Sequence, residues 1–364
     1  MAEEQSGRPA RPDCCYSEGP PNDVKFGGEK MKALIYKKPG DVRVEERAVP
    51  APKPGEALIR VAAAGLCGTD RHIADGSYHG APGIVLGHEV AGIVVEAGPG
   101  VEGLPVGTAV GVDPNLACRH CERCRAGKPH LCANAQAVGV TRDGGLAPYV
   151  CVPAELLSPL PEGLSPLHAI LGEPLSCVVH ALDLAKPQPG GRVAVWGLGT
   201  AGIMMIQLLK ALGQTRIVGV SHHEDHRRLA LRAGADEVMT QEEAAGGLEV
   251  DLAVEASGSP SAFGPAFDAL APGGTLLLYG VMNPEDTVPL RPEAMFRKEL
   301  RIVASYVGPS TLDRALSLLR AGTVDAELLL GDRLSLEEAR EWVLKRGPRK
   351  KAKAHVVFDQ EENS

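Results

Sequence analysis

Four cysteines lie inside one short segment of this 364-residue chain, and their spacing predicts a metal site. Cys118, Cys121 and Cys124 are separated by two residues each, and Cys132 follows after seven intervening residues. Gaps of two residues let successive thiolates converge on one ion, which suits a tetrahedral zinc with Zn–S distances of about 2.3 Å. Four sulfurs leave no position for water or substrate, so the segment 116–132 is expected to hold a closed, structural zinc.

Four cysteines could also hold an iron–sulfur cluster or form disulfides. An iron–sulfur cluster also takes four thiolates, but the seven-residue gap and the lack of a proline after Cys132 differ from the ferredoxin pattern. Disulfides form mainly in oxidising compartments. The total of nine cysteines is odd, and the first thirty residues contain no apolar stretch of a secretory signal. Zinc is therefore the favoured interpretation.

A second group of potential metal ligands is spread over three separate segments. These are Cys67 and His72 in GLCGTDRH, His88 and Glu89 in LGHEVAG, and Glu173 and Cys177 in GEPLSCVVH. A cysteine, a histidine and a carboxylate can form a zinc site whose free position accepts water or substrate, as a catalytic zinc requires. Taken singly, the residues are weak signals, because a free cysteine is commonly a small core residue. Their joint presence beside the four-cysteine segment favours the metal interpretation.

Two residues near Cys67 have side chains suited to moving a proton. Thr69 offers a hydroxyl that could accept the proton of an alcohol, and His72 is placed to pass it on to solvent. The alternative is a polar helix start capped by Thr69 or Asp70. Both interpretations can hold together, so Thr69 and His72 are expected to take part in catalysis.

A glycine-rich turn between a predicted strand and a predicted helix indicates a dinucleotide site. Gly197, Gly199 and Gly202 have the spacing that permits a tight turn, close approach of a pyrophosphate, and packing of helix on strand. Thr200 and Ala201 complete the turn, and the following helix N-terminus would face the phosphates.

The end of the second predicted strand indicates which coenzyme is bound. An NAD site usually carries an acid about 20 residues after the glycines, to hold the ribose 2′-hydroxyl. Ser221 occupies that place here, and a hydroxyl with imidazoles and guanidinium groups suits a 2′-phosphate better. NADP is therefore favoured over NAD, unless Glu224 or Asp225 takes the acidic role through a shifted turn. The residues expected to contact this part of the coenzyme are Ser221, His222, His223 and Arg227.

The elements that position these residues fall into two predicted domains. Short β-branched runs separated by Gly and Pro indicate a mostly antiparallel β domain over 31–180. Strand–helix alternation over 181–305, with SAFGPAFDALAPGG as one of the predicted helices, indicates a doubly wound parallel sheet, a Rossmann coenzyme domain. Residues 306–364 would return to the first domain, with AKAHVVFD as a closing strand. The run GGTLLLYGVM is expected to offer an edge strand for pairing between subunits.

Composition excludes several other classes of protein. The formal net charge of −8 argues against nucleic-acid or membrane-surface partners, and the basic segment KRGPRKKAKAH is interpreted as a solvated loop. No stretch approaches the about 20 apolar residues that span a bilayer. Residues 1–30, rich in Pro, Gly and charge, are expected to be a disordered tail. A cytoplasmic location is expected from the cysteine content and the lack of an export signal.

Five motifs together resemble the zinc-dependent medium-chain alcohol dehydrogenases. They are AAAGLCGTDRH, PGIVLGHEVAGIVVEAGPGV, CRHCERCRAGKPHLC, GEPLSCVVHA and VAVWGLGTAGI, in the family's order. The resemblance, closest to the polyol branch because of EPLSCVVH, implies an α/β fold with a GroES-like catalytic domain and a Rossmann domain. It implies Cys67, His88 and Glu89 as ligands of a catalytic zinc, with Glu173 a ligand or the holder of its water. It also implies a homodimer or homotetramer.

The same resemblance implies an oxidoreductase that transfers a hydride between a secondary alcohol and NADP or NAD. The expected substrates are a polyol, sugar alcohol or cyclitol, with a threonine-type amino alcohol as the alternative. A non-catalytic dinucleotide-binding relative is disfavoured because every ligand is present. One departure concerns Ser305, which stands before Tyr306 where sorbitol dehydrogenases carry an arginine that contacts substrate. That departure weakens sorbitol itself as the substrate.

Overall fold

The computed structural model describes residues 29–345 and 352–358, and the elements in that part of the chain are as follows. The strands are β1 (Lys30–Lys38), β2 (Asp41–Ala48), β3 (Glu56–Gly65), β4 (Glu89–Ala97), β5 (Ala109–Val112), β6 (Asn115–Leu116), β7 (Gln136–Ala137), β8 (Tyr149–Pro153), β9 (Leu157–Pro159), β10 (Arg192–Trp196), β11 (Arg216–Val220), β12 (Glu237–Met239), β13 (Val250–Glu255), β14 (Leu270–Leu278), β15 (Arg301–Ala304), β16 (Leu330–Arg333) and β17 (Lys353–Val357). The α-helices are α1 (Gly68–Asp75), α2 (Glu122–Arg125), α3 (Pro166–Ala169), α4 (Gly172–Ala185), α5 (Thr200–Ala211), α6 (Glu224–Arg232), α7 (Gln241–Ala244), α8 (Pro260–Asp268), α9 (Pro292–Lys298), α10 (Leu312–Arg320), α11 (Ala326–Leu329) and α12 (Leu336–Val343), and 3₁₀-helices span Pro129–Leu131 and Ala154–Leu156.

A seven-stranded sheet forms the catalytic domain. Its strand order is β16-β17-β3-β4-β5-β9, and β8 pairs with β3 at the opposite end of that long strand. The prediction that the last strand rejoins the first domain is confirmed, because β17 runs antiparallel to β3 with His355 opposite Gly65. Alternate apolar residues of these strands point into one buried core. The sheet is therefore built from both ends of the described chain.

A six-stranded parallel sheet forms the coenzyme domain. Its order is β12-β11-β10-β13-β14-β15, the doubly wound arrangement, which confirms the predicted fold class. Nearly every side chain of the central strands β10 and β13 is buried, because helices cover both faces of the sheet. Helix α5 is buried along most of its length for the same reason. None of the helices in the described part of the chain is long and apolar enough to cross a membrane.

Two details of the predicted elements were wrong. The run GGTLLLYGVM is not an edge strand, because β14 lies between β13 and β15, and β15 forms the edge. The helix predicted over SAFGPAFDALAPGG ends at Asp268, and the residues from Leu270 onward already belong to β14. The backbone of Leu270 pairs with Val250 of β13, so the chain leaves the helix earlier than the sequence indicates.

The predicted domain limits fall inside elements at two places. The limit at 180/181 falls inside α4, which packs against α5 and α10 and therefore joins the two domains. Strand β1 begins at Lys30, one residue inside the predicted tail. The rest of that tail, residues 1–28, and residues 346–351 of the basic segment lie outside the described residues.

Candidate functional site

The pairing of β3 with β4 brings three potential metal ligands together. Gly65, at the end of β3, lies opposite Glu89, the first residue of β4. Cys67 follows two residues after Gly65, and His88 immediately precedes β4, so both come to the same end of the sheet. A Cβ atom on Gly65 would lie 2.1 Å from Glu89 Oε2, so only glycine fits there. The register of β3 and β4 thus brings Cys67, His88 and Glu89 to one place.

The donor atoms of Cys67, His88 and Glu89 all lie within 4.8 Å of one another. A sulfur, an imidazole nitrogen and a carboxylate oxygen are the donor types that zinc takes in catalytic sites. The Oε2 atom of Glu89 is buried and has no hydrogen-bond partner among the described residues, whereas Oε1 receives Lys353 Nζ at 2.5 Å. An orphaned carboxylate oxygen beside a thiol and an imidazole fits a bound cation, and three ligands leave one position open.

A buried carboxylate, Asp70, supports this set from behind. Its Oδ2 accepts a hydrogen bond from the Cys67 backbone N–H at 2.8 Å, and its Oδ1 lies 3.7 Å from His88 Nδ1. Burial disfavours the charged imidazolium, but the Cys67 sulfur and the Asp70 carboxylate together raise the pKa of His88 above its ordinary value. A carboxylate behind a metal-binding histidine fixes the ring and increases its basicity as a ligand.

Glu173 lies beside the ligand set but outside the group of donors that converge. It lies in the first turn of α4, and its Oε1 accepts a hydrogen bond from the Cys177 thiol at 3.6 Å. Burial raises the pKa of Glu173 to about 7, with the negative charge of Glu89 adding to the rise and the charge of His88 opposing it. The geometry therefore favours Glu89 over Glu173 as the third ligand, with Glu173 facing the open side.

The two predicted proton-transfer residues lie on α1. Thr69 lines the pocket, and its Oγ1 is 3.6 Å from Cys67 Sγ. His72 is half-buried one turn later, with Nδ1 2.9 Å from Ser77 Oγ. The helix begins at Cys67 as its N-cap, and Asp70 rather than Thr69 bonds back to that residue. The hydroxyl of Thr69 is therefore available to a substrate.

A pocket lies beside the ligand set. Its walls include Thr69, His88 and Glu173 from the catalytic side and Tyr306 from the segment after β15. Tyr279, at the carboxyl end of β14, lies close to the same set: burial, and then the negative charges of Cys177 and Glu173, raise its pKa. The carboxyl edge of a doubly wound sheet is where such folds bind ligands, and here it faces the metal ligands.

The four sulfurs of the cysteine segment converge, as the spacing predicts. All four lie within 4.8 Å of one another, with Cys121 Sγ 3.5 Å from Cys124 Sγ and 3.9 Å from Cys132 Sγ. Backbone N–H groups of His120 and Cys121 lower the pKa of Cys118 to about 6, which favours the thiolate that a metal requires. Burial and hydrogen bonds from neighbouring thiols raise the pKa of Cys124 to about 12. No disulfide forms among the cysteines of the described part of the chain.

The cysteine segment also forms one wall of the pocket. Arg119 and His130 of this segment line the pocket, and so do Asn115 and Gln136, which precede and follow the segment. His130 has a buried Nδ1 atom with no hydrogen-bond partner among the described residues, and burial lowers the pKa of this imidazole. The segment therefore presents polar groups to whatever enters the pocket.

The glycine-rich turn has the geometry of a dinucleotide loop. Gly197 has φ 93°, and a Cβ atom there would lie 2.5 Å from the backbone nitrogen of Ser257. A Cβ on Gly202 would lie 2.0 Å from the carbonyl oxygen of Gly197, so glycine allows α5 to pack on β10. Space is open around Gly199, the N-cap of α5, with Thr200 and Ala201 next to it. An open N-terminus at this point suits a pyrophosphate.

The turn after β11 gathers the residues predicted to select the coenzyme. Ser221 Oγ accepts the backbone N–H of His223 at 3.2 Å, and Arg227 donates from Nη1 to the Ser221 carbonyl at 2.7 Å. His222 and His223 are exposed. The alternative acids, Glu224 and Asp225, lie in the first turn of α6, and both pair with Arg228. The structure therefore places the Arg227 guanidinium against the end of β11 and pairs both acids with Arg228.

Sequence reasoning missed two residues beside the metal ligands, Lys353 and Tyr279. Lys353 is buried and lies 264 positions from Glu89, so no local pattern could have linked the two. Tyr279 follows a buried strand, and its place at the carboxyl edge of the sheet was the available signal.

Replacing Lys353 by methionine is expected to lower the free energy of unfolding of the metal-free protein by about 3 kcal/mol or more, because it strands a buried Glu89 charge. Both side chains are less than one-tenth exposed. Loading with zinc should recover part of the loss, since the ion supplies the missing positive charge. Lys30→Met, which breaks an exposed pair with Glu46, is the control and should cost less than about 1 kcal/mol. Urea unfolding with and without chelator measures the free energy of unfolding of both variants. Equal losses in the two variants would contradict the assignment of Lys353 as the buried partner of Glu89.

Two family models match the chain. Residues 53–162 match the alcohol dehydrogenase GroES-like domain, and residues 200–321 match the zinc-binding dehydrogenase model. The first match contains Cys67, His88, Glu89 and the cysteine segment, and the second begins within the glycine-rich turn.

Individual proteins are similar over most of their length. The chain is 34% identical over 324 residues to D-arabinitol dehydrogenase 1 of Uromyces fabae, covering 86% of this chain and 93% of that one. It is 39% identical over 275 residues to L-threonine 3-dehydrogenase of Pyrococcus horikoshii, covering 71% and 78%. A solved structure described as a zinc-binding dehydrogenase of Sinorhizobium meliloti 1021, bound to NADP, has a TM-score of 0.88 and 32% identity, covering 91% of this chain and 100% of that one.

Proposed function

Because this chain belongs to the zinc-dependent alcohol dehydrogenase family, and is a dehydrogenase that uses zinc and a nicotinamide coenzyme, we propose that its substrate is a polyol, a sugar alcohol or a cyclitol. The observation that carries the proposal is the convergence of Cys67, His88 and Glu89, of which His88 lines a pocket together with Thr69 and Glu173. A non-catalytic role would not require an open ligand set at that place.

The roles of the side chains follow from their positions. Bound zinc supplies Lewis-acid polarisation of the substrate oxygen and lowers the alcohol's pKa. In the oxidising direction Thr69 would accept the hydroxyl proton and give its own proton to His72, which would return one to water, and a bound nicotinamide would supply the acceptor for the hydride of the same carbon. The two electrons of the C–H bond leave with that hydride, and a carbonyl group forms. Glu173, with a pKa near 7, faces the open side and would hold a water there.

The polar wall of the pocket supports a substrate with several hydroxyl groups. Asn115, Gln136 and the partnerless Nδ1 of His130 offer hydrogen-bonding groups away from the ligand set. The relative that acts on D-arabinitol supports the same class. The similarity to an L-threonine 3-dehydrogenase supports a second candidate, an amino-alcohol dehydrogenase. An apolar alcohol would offer no partner to His130 Nδ1, and a buried polar atom without a partner costs about 1–3 kcal/mol.

A substrate panel tests the proposal. The purified protein, loaded with zinc, is assayed for coenzyme reduction with pentitols, hexitols, inositols, 2,3-butanediol and L-threonine. We expect the highest kcat/KM with a polyol or cyclitol. A preference for L-threonine would select the second candidate, and a preference for butanediol would contradict the argument from the polar wall.

We also propose that NADP is the preferred coenzyme. Ser221 in place of an acid, with Arg227 held beside it, supports recognition of a 2′-phosphate, as does the NADP-bound structural relative. Ser221→Asp is expected to weaken NADPH binding by at least about tenfold, or about 1.4 kcal/mol, because it places a negative charge against the phosphate. Fluorescence titration with NADPH and NADH measures this. If Glu224→Gln weakens NADH binding instead, and the wild type prefers NADH, the alternative acid is in use.

We further propose a homodimer or homotetramer that pairs through the edge strand β15. Exposed apolar side chains lie in the segment between β14 and β15, among them Val281 at 74% and Phe296 at 85% exposure. Light scattering after size exclusion should give a mass of two or four chains, and Phe296→Glu should reduce it. A monomeric wild type would contradict the proposal. A cytoplasmic location, where cysteine thiols stay reduced, remains a prediction.

A further inference from the structure

His72 is tied to two polar side chains of the loop that follows its helix. Helix α1 ends at Gly76, whose φ of 84° reverses the chain, and a Cβ there would meet Pro39 at 2.9 Å. The reversal returns Ser77 to the side of His72, where Ser77 Oγ lies 2.9 Å from Nδ1. The backbone N–H of Tyr78 donates to the His72 carbonyl at 2.9 Å and fixes the turn. The contact is therefore built into the helix end.

Asp75 completes a chain of three side chains. Ser77 Oγ donates to Asp75 Oδ1 at 2.5 Å, and the Ser77 backbone N–H donates to the same oxygen at 3.0 Å. Lys345, just beyond α12, contacts the other carboxylate oxygen. Partial burial opposes ionisation, but hydrogen bonds from Lys345 and Ser77 lower the pKa of Asp75 to about 2. Asp75 is consequently an acceptor at any working pH.

The direction of these bonds decides which ring nitrogen of His72 carries the proton. A hydroxyl has one proton, and bonds to ionised acceptors are roughly twice as strong as neutral ones, so the proton of Ser77 goes to Asp75. The alternative acceptor, the His72 carbonyl, is farther from Ser77 Oγ at 3.4 Å. The remaining lone pair of Ser77 then requires a donor, which Nδ1–H supplies.

We propose that Ser77 and Asp75 are positioning residues that hold neutral His72 in the tautomer protonated on Nδ1, which leaves Nε2 free to take the proton released by the alcohol. The inference rests on the proposed function. The imidazolium formed on Nε2 returns that proton to water. The arrangement follows the general logic in which a third group orients a base.

The charged groups around His72 are few and have defined partners. On its own helix, Arg71 lies over the Trp342 ring at 3.7 Å and donates to the Trp342 carbonyl, so its charge is directed towards α12. From the α12 side, Lys345 faces Asp75. Removing Asp75 should therefore lower the basicity of His72, and removing Lys345 should raise it.

The test combines nitrogen NMR with a pH profile in the full-length, zinc-loaded protein. With ¹⁵N-labelled histidine, and His72 assigned by its loss in His72→Gln, the wild type should show the Nδ1–H tautomer. Ser77→Ala should give a tautomer mixture and lower kcat about tenfold, and Ser77→Thr, which keeps the hydroxyl, should recover kcat to within about twofold.

The pH profile supplies a signature that a merely structural role would not produce. The acid limb of kcat for alcohol oxidation should move to lower pH in Asp75→Asn and to higher pH in Lys345→Met. A neutral His72 protonated on Nε2 in the wild type, or shifts of the same sign in both variants, would overturn the proposal. The NMR measurement of the tautomer needs no turnover. It therefore tests this proposal even if no substrate in the panel reacts.

Discussion

Cys67→Ser is expected to lower kcat for alcohol oxidation by about a thousandfold or more, equivalent to about 4 kcal/mol of lost transition-state stabilisation. The serine hydroxyl is a poor zinc ligand compared with a thiolate, so the set of Cys67, His88 and Glu89 loses its metal and with it the polarisation of the substrate oxygen. The measurements are steady-state kinetics with the best polyol and metal content per chain, which should fall from two to one.

Cys151→Ser is the matched control for that variant. Cys151 is a half-buried thiol on β8, outside both groups of converging donors, and burial raises its pKa to about 12. This variant should retain two metals and wild-type kcat. A Cys67→Ser protein that kept both metals and normal turnover would show that the reaction takes place elsewhere, whatever the control does.

Cys121→Ser is expected to destabilise the protein and to change substrate binding at the same time. Structural zinc contributes its binding free energy directly to folding, so the loss of one sulfur should cost about 3 kcal/mol and lower Tm by ~10 °C. His130 of the cysteine segment and the adjacent Asn115 line the pocket. Loss of order in the segment should therefore raise KM severalfold while the catalytic metal stays bound.

The control for Cys121→Ser is Glu122→Ala, an exposed position on α2 that supplies no sulfur. Calorimetry and kinetics of the two variants separate the contributions. An unchanged KM with a lowered Tm would mean that the segment is a staple and does not shape the pocket. An unchanged Tm with full metal content would contradict the structural site itself.

The cysteine site could be predicted because its ligands lie within fifteen residues of one another, where spacing alone controls convergence. The open set was harder, since Cys67 and His88 meet only through the register of β3 and β4. The choice between Glu89 and Glu173 could not be made from sequence, because it depends on where α4 begins relative to that register. The distance between donors favours Glu89, which the motifs left open.

The coenzyme domain was predicted well for a related reason. Each strand–helix unit is local, and buried parallel strands appear as continuous apolar runs. The same property misled the choice of edge. A run such as TLLL is apolar because helices cover both faces of the sheet, whereas the true edge, β15, is four residues long with an exposed arginine at its start. Apolar length indicates the centre of such a sheet, and the edge has to be found by elimination.

The position of β17 has a consequence for how the protein acquires its metal during synthesis. Lys353, which binds Glu89, donates also to the carbonyl of Leu66 from 287 positions away, and its strand completes the sheet beside β3. Domains fold as units while the ribosome adds about 5–20 residues per second. The cysteine segment can therefore fill early, whereas the catalytic ligands are tied together only when nearly the whole chain has emerged. A nascent chain stalled inside the coenzyme domain would hold one metal firmly and the other poorly, which makes the loading of this enzyme a sequential event.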